Sequence, residues 1–168
     1  MKPEDKKIIQ WALEVTRLTE YETKAVDNLS GGQRQRVWIA MALAQQTDLI
    51  LLDEPTTYLD MSYQLEVLEL LYRLNREQGC TIVMVLHDLN LAARFADYMI
   101  AIRCGNIVSH GTPQQVMTPQ VLKEVFNIDA EIVKESRTGR PACIFYDLIK
   151  MNENSCGGCI DEKNCSLR

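Results

Sequence analysis

The sequence predicts an α/β fold in which helices flank a parallel core sheet. Two short apolar runs, residues 49–52 and 81–86, are typical of strands buried on both faces of such a sheet. Between them, residues 62–78 carry leucines at helical spacing, and Gly79 is a common helix stop. A strand, a helix and a second strand with short joints predict a right-handed parallel unit.

The rest of the chain predicts helices on both sides of this unit and an antiparallel hairpin towards the C-terminus. The first helix is amphipathic, and the second has no helix breaker and is expected to be largely buried. Thr112-Pro113 and Thr118-Pro119 predict the starts of two short helices. The other predicted helices lie at residues 4–18, 33–45 and 89–96, and the other strands at 98–102, 107–109, 130–134 and 142–146.

The composition excludes several classes of function. The chain has 168 residues with 18 basic and 23 acidic side chains, and its net charge of −5 argues against a nucleic acid partner. Neither apolar run approaches the length of a membrane helix, which is about 20 residues. No apolar stretch of signal-peptide length follows residues 1–7, so we expect a cytosolic chain.

The six cysteines fall into two groups. Those before residue 150 are expected to be reduced and mostly buried, and they are Cys80, Cys104 and Cys143. The tail holds Cys156, Cys159 and Cys165, for which Cys143 is a candidate fourth ligand. Four thiolates can close a zinc or iron–sulfur site, so a tail metal site and a reduced tail without metal are both open.

A hydroxyl and two glycines, Ser30-Gly31-Gly32, open the predicted helix at 33–45. The N-terminus of a helix presents unpaired N–H groups and a partial positive charge, and glycines let a phosphate approach the backbone closely. These residues are therefore a candidate anion site. Taken alone, they are also typical of a capped loop whose glycines serve only the turn.

Two acids, Asp53 and Glu54, follow the first predicted strand at the edge where parallel sheets bind ligands. Successive side chains of an extended chain point in opposite directions, so the two carboxylates are expected to serve different atoms. One can hold a divalent cation through water while the other orients or deprotonates an attacking water. His87 follows the second strand at the same edge and could bridge a phosphate oxygen and a water. The structural alternatives are acids in a solvated turn and a surface histidine.

In this order and spacing, four segments resemble the motifs of ABC-type ATPases. Residues 29–36 resemble the signature motif, 49–54 the Walker B strand and 58–60 the D-loop, while His87 resembles the switch histidine. The resemblance extends from residue 6 to residue 149 and implies a partial P-loop NTPase-like (ABC ATPase) domain. Three segments look most like the ATPase subunits of importers for ferric siderophores, haem or cobalamin, namely residues 37–45, 56–60 and 111–113.

The resemblance implies a role for each candidate residue. Asp53 would coordinate Mg²⁺ through water, Glu54 would be the catalytic base, and His87 would contact the γ-phosphate of ATP. Family members work as head-to-tail dimers with shared sites, which implies a homodimer here. The residues that would bind the nucleotide of the opposite subunit or couple the two sites are Ser30, Gly31, Gly32, Gln33 and Asp60.

One departure from the family concerns the phosphate cradle. A P-loop requires Gly-x-x-x-x-Gly-Lys-Ser/Thr, and none of the eight glycines is followed by lysine. We therefore expect a C-terminal portion that is truncated before the P-loop and inactive alone. The expected division is a remnant of the helical subdomain at 1–28, the C-terminal portion of the ATPase core at 29–150, and a cysteine-containing tail at 151–168.

The sequence leaves three candidate functions for this chain. The first is the ATP-binding and hydrolysing subunit of an ABC importer for a ferric siderophore or related iron complex. In its full-length form it would use ATP and Mg²⁺ to drive transmembrane permease subunits from the inner face of the membrane. The second is a non-catalytic binding module that supplies its signature loop in trans or occupies the permease. The third is a soluble ABC ATPase of DNA repair, but nothing in the sequence suggests long heptads or a basic DNA-binding face.

Overall fold

The computed structural model describes residues 2–149, which form helices and three two-stranded sheets. The elements in chain order are α1 (Pro3–Val15), α2 (Gly31–Ala44), β1 (Leu49–Leu52), α3 (Met61–Gln78), β2 (Thr81–Met84), α4 (Leu89–Phe95), β3 (Met99–Arg103), β4 (Asn106–Gly111), α5 (Pro113–Val116), α6 (Pro119–Phe126), β5 (Ile128–Lys134) and β6 (Pro141–Leu148). This mixed architecture confirms the predicted α/β class. The parallel unit is formed by β1, α3 and β2, and the pairs β3–β4 and β5–β6 are antiparallel.

One face of the β1–β2 sheet packs on the main apolar core. Ile50 in β1 is 3% exposed and belongs to this core, and Leu52, Ile82 and Met84 pack against it. The other buried members come mainly from α1, α2 and α3, and they are Ala12, Leu18, Ile39, Ala40, Leu43, Val67, Leu70, Leu71, Leu74 and Cys80. The core therefore holds the parallel unit and the first two helices together.

The opposite face of the same sheet is exposed, so the prediction that both strands are buried on both faces is wrong. Leu51 is 70% exposed although it follows the buried Ile50. Successive side chains of a strand point to opposite faces, and the core lies against one face only among residues 2–149. An unbroken apolar run does not reveal which of its two faces the chain itself covers.

α2 shows the same one-sided burial. It begins at Gly31, earlier than the predicted residue 33, with Ser30 as its N-cap. Trp38 and Met41 are exposed, so the helix is not largely buried as predicted. Its buried residues are Gly32, Ile39, Ala40 and Leu43.

α1 and α3 pack through the apolar stripes that their spacing predicts. In α1, Ala12 is buried and Trp11 and Val15 pack against the core. α3 ends where predicted, because Gly79 adopts a left-handed conformation with φ 68° and its N–H bonds to the carbonyl of Asn75. Within residues 2–149, no helix combines the length and the apolarity needed to cross a membrane.

A second core joins α4, α6 and the C-terminal strands. Its buried residues are Ala93, Met117, Leu122, Ala130 and Cys143. The two cores are linked at the surface, where the rings of Tyr72 and Phe95 meet edge-on with centroids 6.4 Å apart. Arg76 on α3 also forms an ion pair with Asp97, which follows α4.

Candidate functional site

A sharp turn follows β1 and sets the direction of the acidic side chains. Glu54 has φ 47° and Tyr58 has φ 64°, both in the left-handed region that residues with a Cβ rarely adopt. The N–H of Thr57 bonds to the carbonyl of Glu54 at 3.2 Å, which closes the turn. Pro55 and Thr56 are buried inside it. The chain thus leaves the sheet edge within a few residues, and Glu54 lies at the start of that reversal.

Both oxygens of the Glu54 carboxylate have hydrogen-bond partners. Oε1 lies 2.7 Å from Nε2 of His87, and Oε2 accepts a hydrogen bond from the Thr57 hydroxyl at 2.8 Å. The His87 bond, followed by the Thr57 bond, holds the pKa of Glu54 below its usual value. The carboxylate side chain is 40% exposed, so water can reach it. The arrangement provides an oriented, ionised carboxylate at a sheet edge.

Asp53, Glu54 and His87 lie at one end of the parallel sheet, as their sequence positions predict. Asp53 directly follows β1 and is exposed. Beyond β2, the N–H of Val85 bonds to the carbonyl of Leu52 at 3.0 Å, which aligns the chain leading to His87 with the end of β1. The donor chemistry fits Mg²⁺, because Mg²⁺ prefers carboxylate and water oxygens and is commonly held by one or two carboxylates.

The start of α2 is a complete capping box. The Ser30 hydroxyl accepts a hydrogen bond from the N–H of Gln33 at 3.3 Å, and the Gln33 side-chain oxygen accepts one from the N–H of Ser30 at 2.9 Å. The side chains of both residues are therefore engaged in the cap. The helix start leaves the first amides, including those of Gly31 and Gly32, without acceptors in the helix itself.

The two glycines of this segment differ in what surrounds them. Gly32 is buried, and a Cβ there would lie 3.0 Å from Cδ1 of Tyr63. A Cβ at Gly31 would meet Leu59 at an ordinary 3.9 Å. The close packing of α2 on the start of α3 therefore favours glycine at position 32, a packing role that the sequence pattern does not reveal.

The structure divides the predicted site residues into two groups. Asp53, Glu54 and His87 share the end of the parallel sheet, whereas the segment 30–33 faces the start of α3. Asp60 is the N-cap residue of α3 and is exposed. Thr57 joins the first group through its bond to Glu54, a contact that the sequence pattern does not predict.

A cleft of about 320 Å³ lies apart from both groups, between the end of α1 and the faces of α2 and α3. Arg36 and Glu66 form an ion pair across it. Its other lining residues are Val15, Thr16, Arg17, Glu69, Leu70, Tyr72 and Arg73. Arg36 is the last residue of the segment that resembles the signature motif, but none of the predicted site residues lines the cleft.

The predicted metal site of the tail depends on four cysteines, of which only Cys143 lies among the described residues. Cys156, Cys159 and Cys165 lie outside the described residues, so a zinc or iron–sulfur site stays a prediction. Cys143 is buried in β6, and Cys80 is buried too, while Cys104 is exposed. Between residues 2 and 149 there is no cluster of three or more acidic, histidine or cysteine side chains that could hold a metal ion.

The solved structures that the chain resembles define its class. A transporter described as of metal-chelate type, in an inward-facing conformation, matches with a TM-score of 0.78 and 30% identity over 86% of this chain and 58% of that chain. The ATP-binding cassette MJ0796, a dimer in a post-hydrolysis state with ADP and Pi, matches with a TM-score of 0.58 and 37% identity over 67% of this chain and 49% of its own. The fold is therefore that of an ABC ATPase domain, which confirms the predicted class.

The sequence matches name the family. The ABC transporter family model matches residues 2–57. The iron(3+)-hydroxamate import ATP-binding protein FhuC of Bacillus subtilis is 64% identical over 88% of this chain and 55% of its own length. The ferric enterobactin transport ATP-binding protein FepC of Escherichia coli is 46% identical over 84% of this chain and 52% of its own length. Over most of its own length the chain is similar to ABC transporter ATP-binding proteins, as its motifs predict, and it spans about half the length of these curated relatives.

Proposed function

We propose that this chain carries the catalytic base of the ATP-binding subunit of an importer for a ferric siderophore or related iron complex. The names of FhuC and FepC support this substrate class. The observation that carries the proposal is the ionised Glu54 carboxylate held between His87 and Thr57 at the end of the parallel sheet. In the full-length form this carboxylate would activate the water that attacks the terminal phosphate of ATP.

We call Asp53, Glu54 and His87 the strand-end group, and each of them has a distinct part in this proposal. Glu54 takes a proton from the water at one of its carboxylate oxygens. His87 holds the other side of that carboxylate and can bond to a phosphate oxygen, since its side chain is 71% exposed. Asp53 would hold Mg²⁺ through water, and a bound Mg²⁺ would supply positive charge to neutralise the phosphates.

The second group, which is the segment 30–33 at the start of α2, belongs to a shared site in the proposed homodimer. Two subunits would meet head to tail, so that the α2 N-terminus of one subunit faces the nucleotide held by the other. Ser30, Gly31, Gly32 and Gln33 would supply amides and side chains there, and Asp60 would lie at the contact between the two sites. The dimer would bind transmembrane permease subunits at the inner face of the membrane. The division at residues 28 and 150 into helical remnant, core portion and tail is part of the same proposal.

We infer that the chain by itself does not hydrolyse ATP. None of its glycines is followed by lysine, so the P-loop motif is missing from the chain. The lysine of a P-loop and its glycine-rich backbone form the main cradle for the nucleotide phosphates. Titration of the chain with a fluorescent ATP analogue is expected to give no saturable binding below about 1 mM. A dissociation constant in the low micromolar range would contradict this inference.

The catalytic assignment is tested on a full-length form that adds a P-loop segment upstream. Glu54→Gln keeps the size of the side chain and both hydrogen-bonding positions but removes the base. ATP turnover is expected to fall about 10²–10⁴-fold while nucleotide binding is retained. Glu131→Gln on the exposed face of β5 is the matched control and should leave turnover unchanged. Equal turnover in both variants would contradict the assignment of Glu54.

The alternative function is a non-catalytic module that lends its helix-start segment to an intact ATPase or occupies the permease. The observation that favours it is the complete capping box of Ser30 and Gln33 in a chain in which no glycine is followed by lysine. Adding the chain to full-length Bacillus subtilis FhuC and measuring ATP turnover distinguishes the two proposals. A change in turnover that Ser30→Ala removes would support the module, and unchanged turnover would favour the catalytic subunit.

A further inference from the structure

The imidazole of His87 has little packing around it to fix its position. Its side chain is 71% exposed, and its Nε2 lies 2.7 Å from Oε1 of Glu54. An exposed ring makes few contacts, so the backbone that carries it must bring it within hydrogen-bond reach of Glu54. The position of the ring therefore depends on what holds the chain on either side of residue 87.

Two anchors hold this short stretch of chain. On the strand side, the N–H of Val85 bonds to the carbonyl of Leu52 at 3.0 Å. On the helix side, Asp88 is the N-cap of α4, and its side chain accepts a hydrogen bond from the N–H of Leu91 at 2.8 Å. Because His87 directly precedes this cap, a movement of the N-terminus of α4 would carry His87 with it.

Asn90 joins the first turn of α4 to the C-terminal hairpin. Its Nδ2 donates a hydrogen bond to the carbonyl of Cys143 at 3.0 Å, and its Oδ1 accepts one from the N–H of Cys143 at 2.7 Å. One side chain thus satisfies both backbone groups of a buried residue of β6. Two bonds from one planar amide fix the direction of this contact as well as its length.

A second polar contact holds the other end of α4 to the same hairpin. Arg140, which directly precedes β6, donates hydrogen bonds from its Nη1 to the carbonyl of Ala93, at 3.0 Å, and to the carbonyl of Ala96. Between the two ends, Ala93 and Cys143 are buried in one core. α4 is therefore held at both ends, and of the two polar contacts the one made by Asn90 lies nearer to His87 along the chain.

We propose that Asn90 is a positioning residue for His87, because it fixes the start of α4 against β6 and so keeps the imidazole where it can bond to Glu54. The β5–β6 hairpin, which supplies no member of the strand-end group, thereby sets the geometry of that group. The inference rests on the proposed function in giving His87 a part in ATP hydrolysis. Misplacement of a reacting group by about 1 Å can lower a rate about 10²-fold, so such a contact matters for turnover.

Nitrogen-15 nuclear magnetic resonance of the imidazole groups at neutral pH tests the positioning in the 168-residue chain. The chain has two histidines, and His110, which bonds to the Tyr98 hydroxyl, is the internal reference. Glu54→Ala removes the partner of His87 and gives the signal position of the unbonded ring. Asn90→Ala should move the Nε2 signal of His87 at least halfway to that position and leave the signals of His110 unchanged.

Arg140→Ala is the matched control, because it removes the polar contact at the other end of α4. It should lower the thermal unfolding midpoint and leave the His87 signal at its wild-type position. Asn90→Asp is a second, milder variant that keeps the acceptor for the N–H of Cys143 and removes the donor to its carbonyl. It should move the His87 signal in the same direction by a smaller amount, and it tests the proposal even if Asn90→Ala does not fold.

Two results would overturn the proposal. The first is a His87 signal at its wild-type position in the Asn90 variants that circular dichroism shows to be folded, since Asn90 would then serve the stability of α4 alone. The second is an equal movement of the His87 signal in Arg140→Ala, since the docking of α4 as a whole would then place the imidazole.

Steady-state kinetics of the full-length form separate this proposal from the proposed function. Asn90→Ala should lower kcat for ATP at least about tenfold and change KM less than about twofold, because it displaces a reacting group and leaves the nucleotide cradle intact. If the His87 signal moves and kcat is unchanged, the positioning role is supported and the part proposed for His87 in hydrolysis fails. If the signal does not move, the positioning role fails and the catalytic proposal is judged on Glu54→Gln alone.

Discussion

The two faces of the β1–β2 sheet have nearly the same apolar composition and opposite surroundings. On one face, Ile50 and Ile82 pack on the helices of the main core. On the other, Leu51 and Val83 lie in the open. The strands form in either case, since both faces supply β-branched or large apolar residues. The comparison teaches that the apolar composition of a strand does not decide which of its side chains are buried, because burial depends on which elements pack against each face.

The contrast continues along α2. Ile39 and Leu43 are buried in the core, whereas Trp38 and Met41 on the other side of the helix are exposed. At its first turn, Gly32 is buried under Tyr63 and Gly31 is exposed. Neighbouring residues in one element can therefore be compared directly, one in a covered and one in an open position.

The largest expected effect comes from truncating neighbouring residues of β1. Ile50→Ala removes buried side-chain volume from the core and should lower the free energy of unfolding by about 2–5 kcal/mol. Leu51→Ala removes a similar volume from the exposed face of the β1–β2 sheet and should change the free energy of unfolding by less than about 0.5 kcal/mol. Urea denaturation of the chain, followed by far-ultraviolet circular dichroism, measures both.

The control for this pair is protein concentration. The urea midpoints of unfolding should not depend on protein concentration if the exposed face of the β1–β2 sheet is uncovered in solution. Similar losses for Ile50→Ala and Leu51→Ala at high dilution would mean that the two faces are equally covered within one chain, contrary to the structure.

A smaller effect is expected at the first turn of α2. A methyl group at position 32 would lie 3.0 Å from the Tyr63 ring, so Gly32→Ala should lower the free energy of unfolding by about 1–3 kcal/mol. Gly31→Ala has ordinary contacts and should change it by less than about 0.5 kcal/mol. The measurement is again urea denaturation of both variants.

A double variant shows whether the Tyr63 ring is responsible. Combined with Tyr63→Ala, the Gly32→Ala change should become smaller, because the overlapping group has been removed. An unchanged penalty in the Tyr63→Ala background would contradict the packing explanation and leave the role of Gly32 to the proposed nucleotide contact.

Local signals in the sequence were sufficient for most of the fold. The parallel unit follows from two apolar runs and the leucine spacing between them, and Gly79 ends α3 because the αL conformation there suits glycine. The prediction that β1 and β2 are buried on both faces was wrong for a different reason. The burial of Leu51 depends on contacts from elsewhere in the fold, and alternation along a strand is invisible when both faces are apolar.

The candidate site was accessible to sequence reasoning in part. Asp53, Glu54 and His87 could be placed at one edge because the ends of adjacent parallel strands meet there. The Thr57 bond could not be predicted, since it depends on the left-handed conformation of Glu54, which its residue type does not favour. A hydroxyl residue shortly after an acid in a turn was the signal available, and such residues usually bond to the backbone instead.

The smallest expected effect concerns the open, solvated carboxylate of Glu54. His87 and then Thr57 lower its pKa, so the folded state is favoured at pH values above the ordinary glutamate pKa. This contribution is lost as the pH falls through the lowered pKa, and it is small because water screens an exposed side chain. Thr57→Val should raise the pKa of Glu54 towards its ordinary value, and His87→Ala should raise it further, since the His87 bond is the larger cause.

Carbon-13 nuclear magnetic resonance of the glutamate carboxyl groups measures these titrations in the chain itself. Thr138→Val is the matched control, because the Thr138 hydroxyl bonds to Glu135 in the same way and holds the pKa of Glu135 low. It should raise the pKa of Glu135 and leave Glu54 unchanged. If Thr57→Val left the Glu54 titration unchanged as well, the Thr57 bond would not persist in solution. The Glu54 carboxylate would then be oriented by the His87 bond alone and not held between two hydrogen bonds.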